Sequence, residues 1–137
     1  KFYLNQNAKK AFVFENGKKR SLKVNKKITF NYLKAAAAFH DHLSFEKQKK
    51  ILKFIKKLNF PCFDALTYCQ LAEGRLDLVA QCGNKIWDIH PIIPIIKASG
   101  GKISTWENED AIKGGKILVS NNSANHKKIL KLLKPAT

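Results

Sequence analysis

The 137-residue chain predicts a layered α/β fold, and three features carry that expectation. Helix-patterned and strand-patterned segments alternate from residue 44 onward, an Asn16-Gly17 pair separates two short apolar runs, and Gly74 and Gly100-Gly101 fall where helices should hand over to strands. Alternation of this kind is what stacked helix and sheet layers require.

The opening Lys1-Phe2-Tyr3-Leu4 reads like the middle of a strand. Ala11 to Phe14 forms a second apolar run, and Asn16-Gly17 supplies the positive backbone angles of a tight hairpin turn. Ser21-Leu22-Lys23-Val24 alternates polar and apolar residues, as a strand with one buried face does. A strand over part of Leu33 to Phe39 is expected, although its alanines suit a helix equally.

From Ser44, an N-cap residue, Ile51, Leu52, Ile55 and Leu58 recur at helical spacing among lysines and predict an amphipathic helix ending near Asn59-Phe60-Pro61. Asp64 can cap a second helix through Glu73, closed by Gly74. Leu76 to Ala80 reads as a strand, and Trp87-Asp88 opens a third helix that carries Ile92, Ile93, Ile95 and Ile96 to Gly100-Gly101. Pro91 suits only its first turn, and Pro94 shifts or distorts that start. Lys102 to Trp106 and Lys116 to Ser120 are strands, and Ser123 or Asn125 opens a last helix.

An apolar fraction of 45% and a charged fraction of 26% are ordinary for a globular domain with its own core. No apolar run reaches membrane-spanning length, and residues 1 to 20 lack the apolar segment of a signal peptide. Cys62, Cys69 and Cys82 are odd in number and form no C-x-x-C pair, so they read as reduced, mostly buried thiols in a cytoplasmic protein. The chain begins at Lys1 and contains no Met, so it reads as part of a longer polypeptide.

The net charge of +16 suggests nucleic acid, whose phosphates attract lysine. Of 26 basic residues only Arg20 and Arg75 are arginine, the residue that recognises phosphate bidentately, and no arginine-aromatic cluster occurs. The lysines therefore read as solvated surface, with a lysine-rich nucleic-acid module as the competing reading.

The segment from Trp87 through Asp88 and His90-Pro91 to Gly100-Gly101 resembles the second signature of the inositol monophosphatase family, an aromatic-Asp pair opening a buried helix that closes at Gly-Gly. Ala72 to Val79 is similar to that family's helix-to-strand step, Ile117 to Asn121 to its final strand, and the Ala11 to Val24 hairpin to the stretch preceding both. Asp64, Tyr68, Pro94-Ile95-Ile96 and Thr105-Trp106 look closest to the histidinol-phosphatase branch. The resemblance implies a layered α-β sandwich of the sugar/inositol phosphatase type, of which residues 1 to 137 would be the C-terminal half.

It further implies a Mg²⁺-dependent phosphate monoester hydrolase, a homodimer in that family, with histidinol phosphate favoured over inositol monophosphate and other sugar phosphates. Asp88 then corresponds to a metal-binding carboxylate, Asp64 to a carboxylate facing the substrate's cationic part, and Gln81 to a substrate-contacting position where relatives place Glu. On the residues alone, Asp88 and Asp64 are equally N-caps and Gln81 an exposed strand end. His90 and Pro91 stand where relatives carry small residues. The Glu-rich element and the Asp-Pro-x-Asp-Gly-Thr loop that complete the family's metal site do not occur, so the chain alone is expected to be catalytically silent and to need a missing N-terminal half. A noncatalytic dimerisation remnant of the same fold is the further alternative. His40 and His42 form an H-x-H that reads as a polar loop or as a metal pair, and His126 reads as a helix-surface residue.

Overall fold

The computed structural model describes residues 1–55, 62 and 64–136. Strands β1 (Phe2–Asn7), β2 (Lys10–Glu15) and β3 (Lys18–Ser21) form an antiparallel sheet in that order. The hairpin turns where expected: Asn16 has φ 51° and Gly17 φ 73°, and Glu15 pairs with Lys18, the geometry of a two-residue primed turn. The second strand runs Lys18–Ser21 rather than Ser21 to Val24, because the short turn starts pairing at once. The expected alternation survives beyond it: Leu22 donates its N–H to the Ala11 carbonyl at 2.8 Å, and Leu22 and Val24 are buried.

The central sheet has the order β4-β5-β7-β6, from β4 (Ala35–Ala38), β5 (Leu78–Asn84), β7 (Gly115–Ser120) and β6 (Lys102–Thr105). β4 runs parallel to β5, and the other pairs are antiparallel. Alternate side chains feed two cores on opposite faces. Leu78, Ala80, Cys82 and Leu118 meet Ile51 and Ile55 of α1 (Phe45–Ile55) and Ile129 and Leu133 of α5 (Ser123–Leu133). Val79, Ile117 and Val119 meet α2 (Asp64–Ala72) and α4 (Ile92–Ala98), and Ala11 and Val13 of the small sheet, with Leu22 and Val24 just beyond it, close the same core. Helix, sheet, helix and sheet thus stack in turn.

Two differences from the sequence reading concern helices, the division of the third and the exposure of Leu52 on the first. The predicted third helix is two: α3 (Ile86–Ile89) and α4, parted at His90-Pro91 because proline has no N–H to continue the ladder. The last helix begins at Ser123, one of the two openings expected, and is capped by Asn122, whose side chain accepts from the Asn125 N–H at 2.8 Å. The end expected for the first helix, with Leu58, lies outside the described residues. Ile51 and Ile55 are buried as the periodicity requires, whereas Leu52 is exposed.

His126 is a correction: it is buried, not at the helix surface. Its ring nitrogens lie 2.8 Å from Ser104 Oγ and 2.7 Å from Ser120 Oγ, so α5 is pinned to β6 and β7 by a neutral imidazole. Burial, with nearby Lys102, lowers its pKa to about 4.

Candidate functional site

Asp88 lies at the third residue of α3, so it is neither the N-cap nor placed before a helix beginning at Ile89. Its Oδ2 accepts the Lys85 N–H at 2.8 Å, satisfying one of the donors a helix start leaves open. It therefore assists the helix start and still lines a cleft. That cleft, about 30 Å³, is bounded by His40, Asp64, Ala65, Gln81, Cys82, Gly83, Asn84 and Asp88. All three site residues singled out in the sequence meet there.

Gln81 is mid-strand and 2% exposed, which corrects the exposed strand-end reading. Its Nε2 donates to Cys62 Sγ at 3.0 Å and to the Asp64 carbonyl at 3.2 Å, holding the start of α2 against β5. Asp64 is the first residue of α2, exposed, with a left-handed φ of 44°. The pairing of β5 with β7 shifts register between Gln81 and Asn84, a bulge that bends the strand end around the cleft. Asn84 fixes the bend: it accepts from the Tyr68 hydroxyl at 2.9 Å and donates to the Gln81 carbonyl at 3.1 Å and the Gly115 carbonyl at 2.8 Å.

The residue that the sequence reading left aside is His40. Its Nε2 stands 3.5 Å from Asp64 Oδ1. It sits just past β4, and His40 and Asp41 both hold positive φ, 45° and 61°. The loop reading of H-x-H is right for the backbone, yet the loop overhangs the cleft. A Cβ on Gly83 would lie 2.7 Å from His42 Nε2, so a side chain there would displace the His42 ring and would be strained at φ 74°. The signal was the H-x-H motif; its place depends on the parallel pairing of β4 with β5, which local spacing does not report.

The thiols behave as buried groups. Burial raises the pKa of Cys62, and raises Cys69 and Cys82 to about 11, so none is poised as a thiolate. A larger groove of about 460 Å³ lies between Trp106 and Leu130, edged by Lys127, Lys131 and Lys134. It contains Glu107 as its one acid and none of Asp88, Asp64 and Gln81. Chemistry therefore favours the smaller cleft.

Hard divalent cations take oxygen ligands, and Asp88 and Asp64 both offer them at the cleft. Among the described residues no group of three or more His, Cys, Asp or Glu side chains is placed to hold a metal. The chain fits such an ion as a contributor of carboxylate oxygen, not as its whole cage. A space of about 30 Å³ suits a water or an ion.

A four-layer α/β stack with acidic side chains at the bent end of a central strand defines a class of domain built around a small polar cleft. The sequence pattern of the inositol monophosphatase family matches residues 1–137, and the chain belongs to that family. Among curated relatives, the bifunctional phosphatase IMPL2, chloroplastic, of Arabidopsis thaliana is 31% identical over 94 residues, which are 66% of this chain and 26% of that protein. The histidinol-phosphatase of Mycobacterium tuberculosis is 29% identical over 58 residues, 42% of this chain and 22% of that protein. SuhB of Mycobacterium tuberculosis superposes with a TM-score of 0.73 at 18% identity, over 92% of this chain and 51% of that one. An IMPase/NADP phosphatase complexed with Mg²⁺ and phosphate gives 0.63 at 17% identity, over 90% and 49%. The structural likenesses establish the α/β fold. This chain matches about a quarter of the length of the curated relatives and about half of the solved chains.

Proposed function

We propose that this chain forms one wall of a magnesium-dependent phosphomonoesterase site, with Asp88 as a metal ligand, Asp64 and Gln81 as substrate-facing residues and histidinol phosphate as the substrate. The observation that carries the reading is the convergence of Asp88, Asp64 and Gln81, three residues from three different elements, on one cleft. The histidinol-phosphatase relative supports the substrate, and family membership supports phosphate ester chemistry.

In this reading the rest of the metal cage is a missing N-terminal half, so residues 1–137 are the C-terminal domain of a two-part enzyme and are silent alone. The homodimer belongs to the same reading and rests on the family resemblance, and the cytoplasmic location rests on the three unpaired cysteines. A bound Mg²⁺ would supply Lewis-acid stabilisation of phosphoryl oxygens and a more acidic water. The chain's own residues do the rest: Lys85 holds Asp88 through Oδ2, Asn84 fixes the strand end, and Gln81 anchors the start of α2 beside Asp64.

Inositol monophosphate or another sugar phosphate is the second reading, favoured by one observation: Gln81 is neutral and His40 stands against Asp64, so the cleft is less negative than a cationic alcohol would want. The test is phosphate release from histidinol phosphate and from inositol monophosphate, with and without Mg²⁺, by the intact protein and by residues 1–137 alone. Magnesium-dependent release by the intact protein and none by the isolated chain is expected. Turnover by residues 1–137 alone would refute the two-part reading, and no release by the intact protein would refute the phosphatase reading.

A further inference from the structure

We infer that His40 is a substrate-selecting residue, acting with Asp64 as one unit that sets how strongly the cleft prefers a cationic alcohol over a neutral polyol; this rests on the phosphomonoesterase reading. Two observations place it. His40 lines the same cleft as Asp88, and its Nε2 stands 3.5 Å from Oδ1 of Asp64, the carboxylate that the proposed function sets toward the substrate.

The backbone around the pair supplies independent support. His40, Asp41 and Asp64 all hold positive φ without being glycine, and such conformations persist only where surrounding structure enforces them. The loop lies beside Gly83, where an added Cβ would meet the His42 ring at 2.7 Å and the His40 Cβ at 3.6 Å. The loop is held over the cleft rather than merely ending β4.

The consequence is competition. A cationic group approaching Asp64 meets a carboxylate oxygen already engaged by an imidazole, whereas a polyol finds a donor and an acceptor side by side. Removing the imidazole exposes Asp64 to cations and deprives hydroxyls of one partner. Both side chains are more than half exposed, 51% for His40 and 76% for Asp64, so the effect is that of a surface pair, about two- to fivefold.

The experiment compares wild type, His40→Ala, Asp64→Asn and the double variant of the intact protein on histidinol phosphate and inositol monophosphate, with melting temperature as the folding control. His40→Ala should lower KM for the cationic ester about two- to fivefold, leave or raise KM for the polyol ester, and leave kcat with either unchanged; in the Asp64→Asn background it should have no effect. An equal change on both esters, a change in kcat alone, or the same effect with Asp64 absent overturns the inference while leaving phosphatase activity standing. If wild type releases phosphate from neither ester, the phosphomonoesterase reading fails and takes this inference with it.

Discussion

Oδ2 of Asp88 accepts the Lys85 N–H within the first turn of α3, so one carboxylate oxygen supports the helix while the residue as a whole faces the cleft. Stability and function can therefore be separated there. Asp88→Asn keeps an acceptor for the N–H and should cost about 0.5 kcal/mol, the charge-dipole part. Asp88→Ala loses the acceptor too and should cost about 1 kcal/mol. Urea melts of both variants check the ordering.

Gln81 cannot be exchanged for Glu without loss. The exchange removes both Nε2 donors and points a carboxylate at the Asp64 carbonyl, now 3.2 Å from nitrogen. Gln81→Glu should destabilise the protein by about 1–3 kcal/mol. A buried, unpartnered carboxyl prefers its neutral form, so the deficit should be larger at pH 8 than at pH 5. Equal stability at both pH values would contradict this.

Glu73 joins the small sheet to α2. Its side chain is 1% exposed, accepts from the Tyr3 hydroxyl and lies 3.1 Å from Arg20 Nη2 and 3.3 Å from Lys1 Nζ. Burial alone would raise its pKa, but the bonds from Tyr3, Arg20 and Lys1 outweigh it and hold the carboxyl below the usual range. Glu73→Gln should cost about 1.5–3 kcal/mol, read as a lower urea midpoint.

His126 makes stability depend on pH. Its pKa falls from 6.5 to about 4 on folding, so between those values the unfolded chain binds the extra proton and acid favours unfolding. Stability should be full above pH 6.5 and fall by about 3 kcal/mol by pH 4. Glu73, whose folded pKa is depressed, adds loss only as pH falls below the usual glutamate range. His126→Gln should flatten the upper part of the profile when unfolding free energy is followed against pH.

What could be read in the chain was local chemistry. Asn16-Gly17 specified its turn, Gly74 its helix end at φ 80°, and Ile51 and Ile55 their buried face. Leu76 and Asp77 were read as strand but precede β5, because Asp77 Oδ2 accepts the Lys34 N–H and its own N–H donates to the Lys34 carbonyl. That partner lies 43 residues away. His126 was misread as a surface residue, and the place of the His40 loop over the cleft went unread, for the same reason: His126 gains its burial from β6 and β7 closing over α5, and His40 its position from β4 lying beside β5. Asp88, Asp64 and Gln81 were found through motif likeness, and their meeting in one cleft is a tertiary fact that spacing does not contain.

The most direct test is magnesium-dependent phosphate release by the intact protein carrying Asp88→Asn, at matched folded fraction. A fall in kcat of at least about 100-fold, the order seen when one electrostatic stabiliser of a transition state is removed, is expected. Wild-type kcat with unchanged magnesium activation would show that Asp88 holds no catalytic ion.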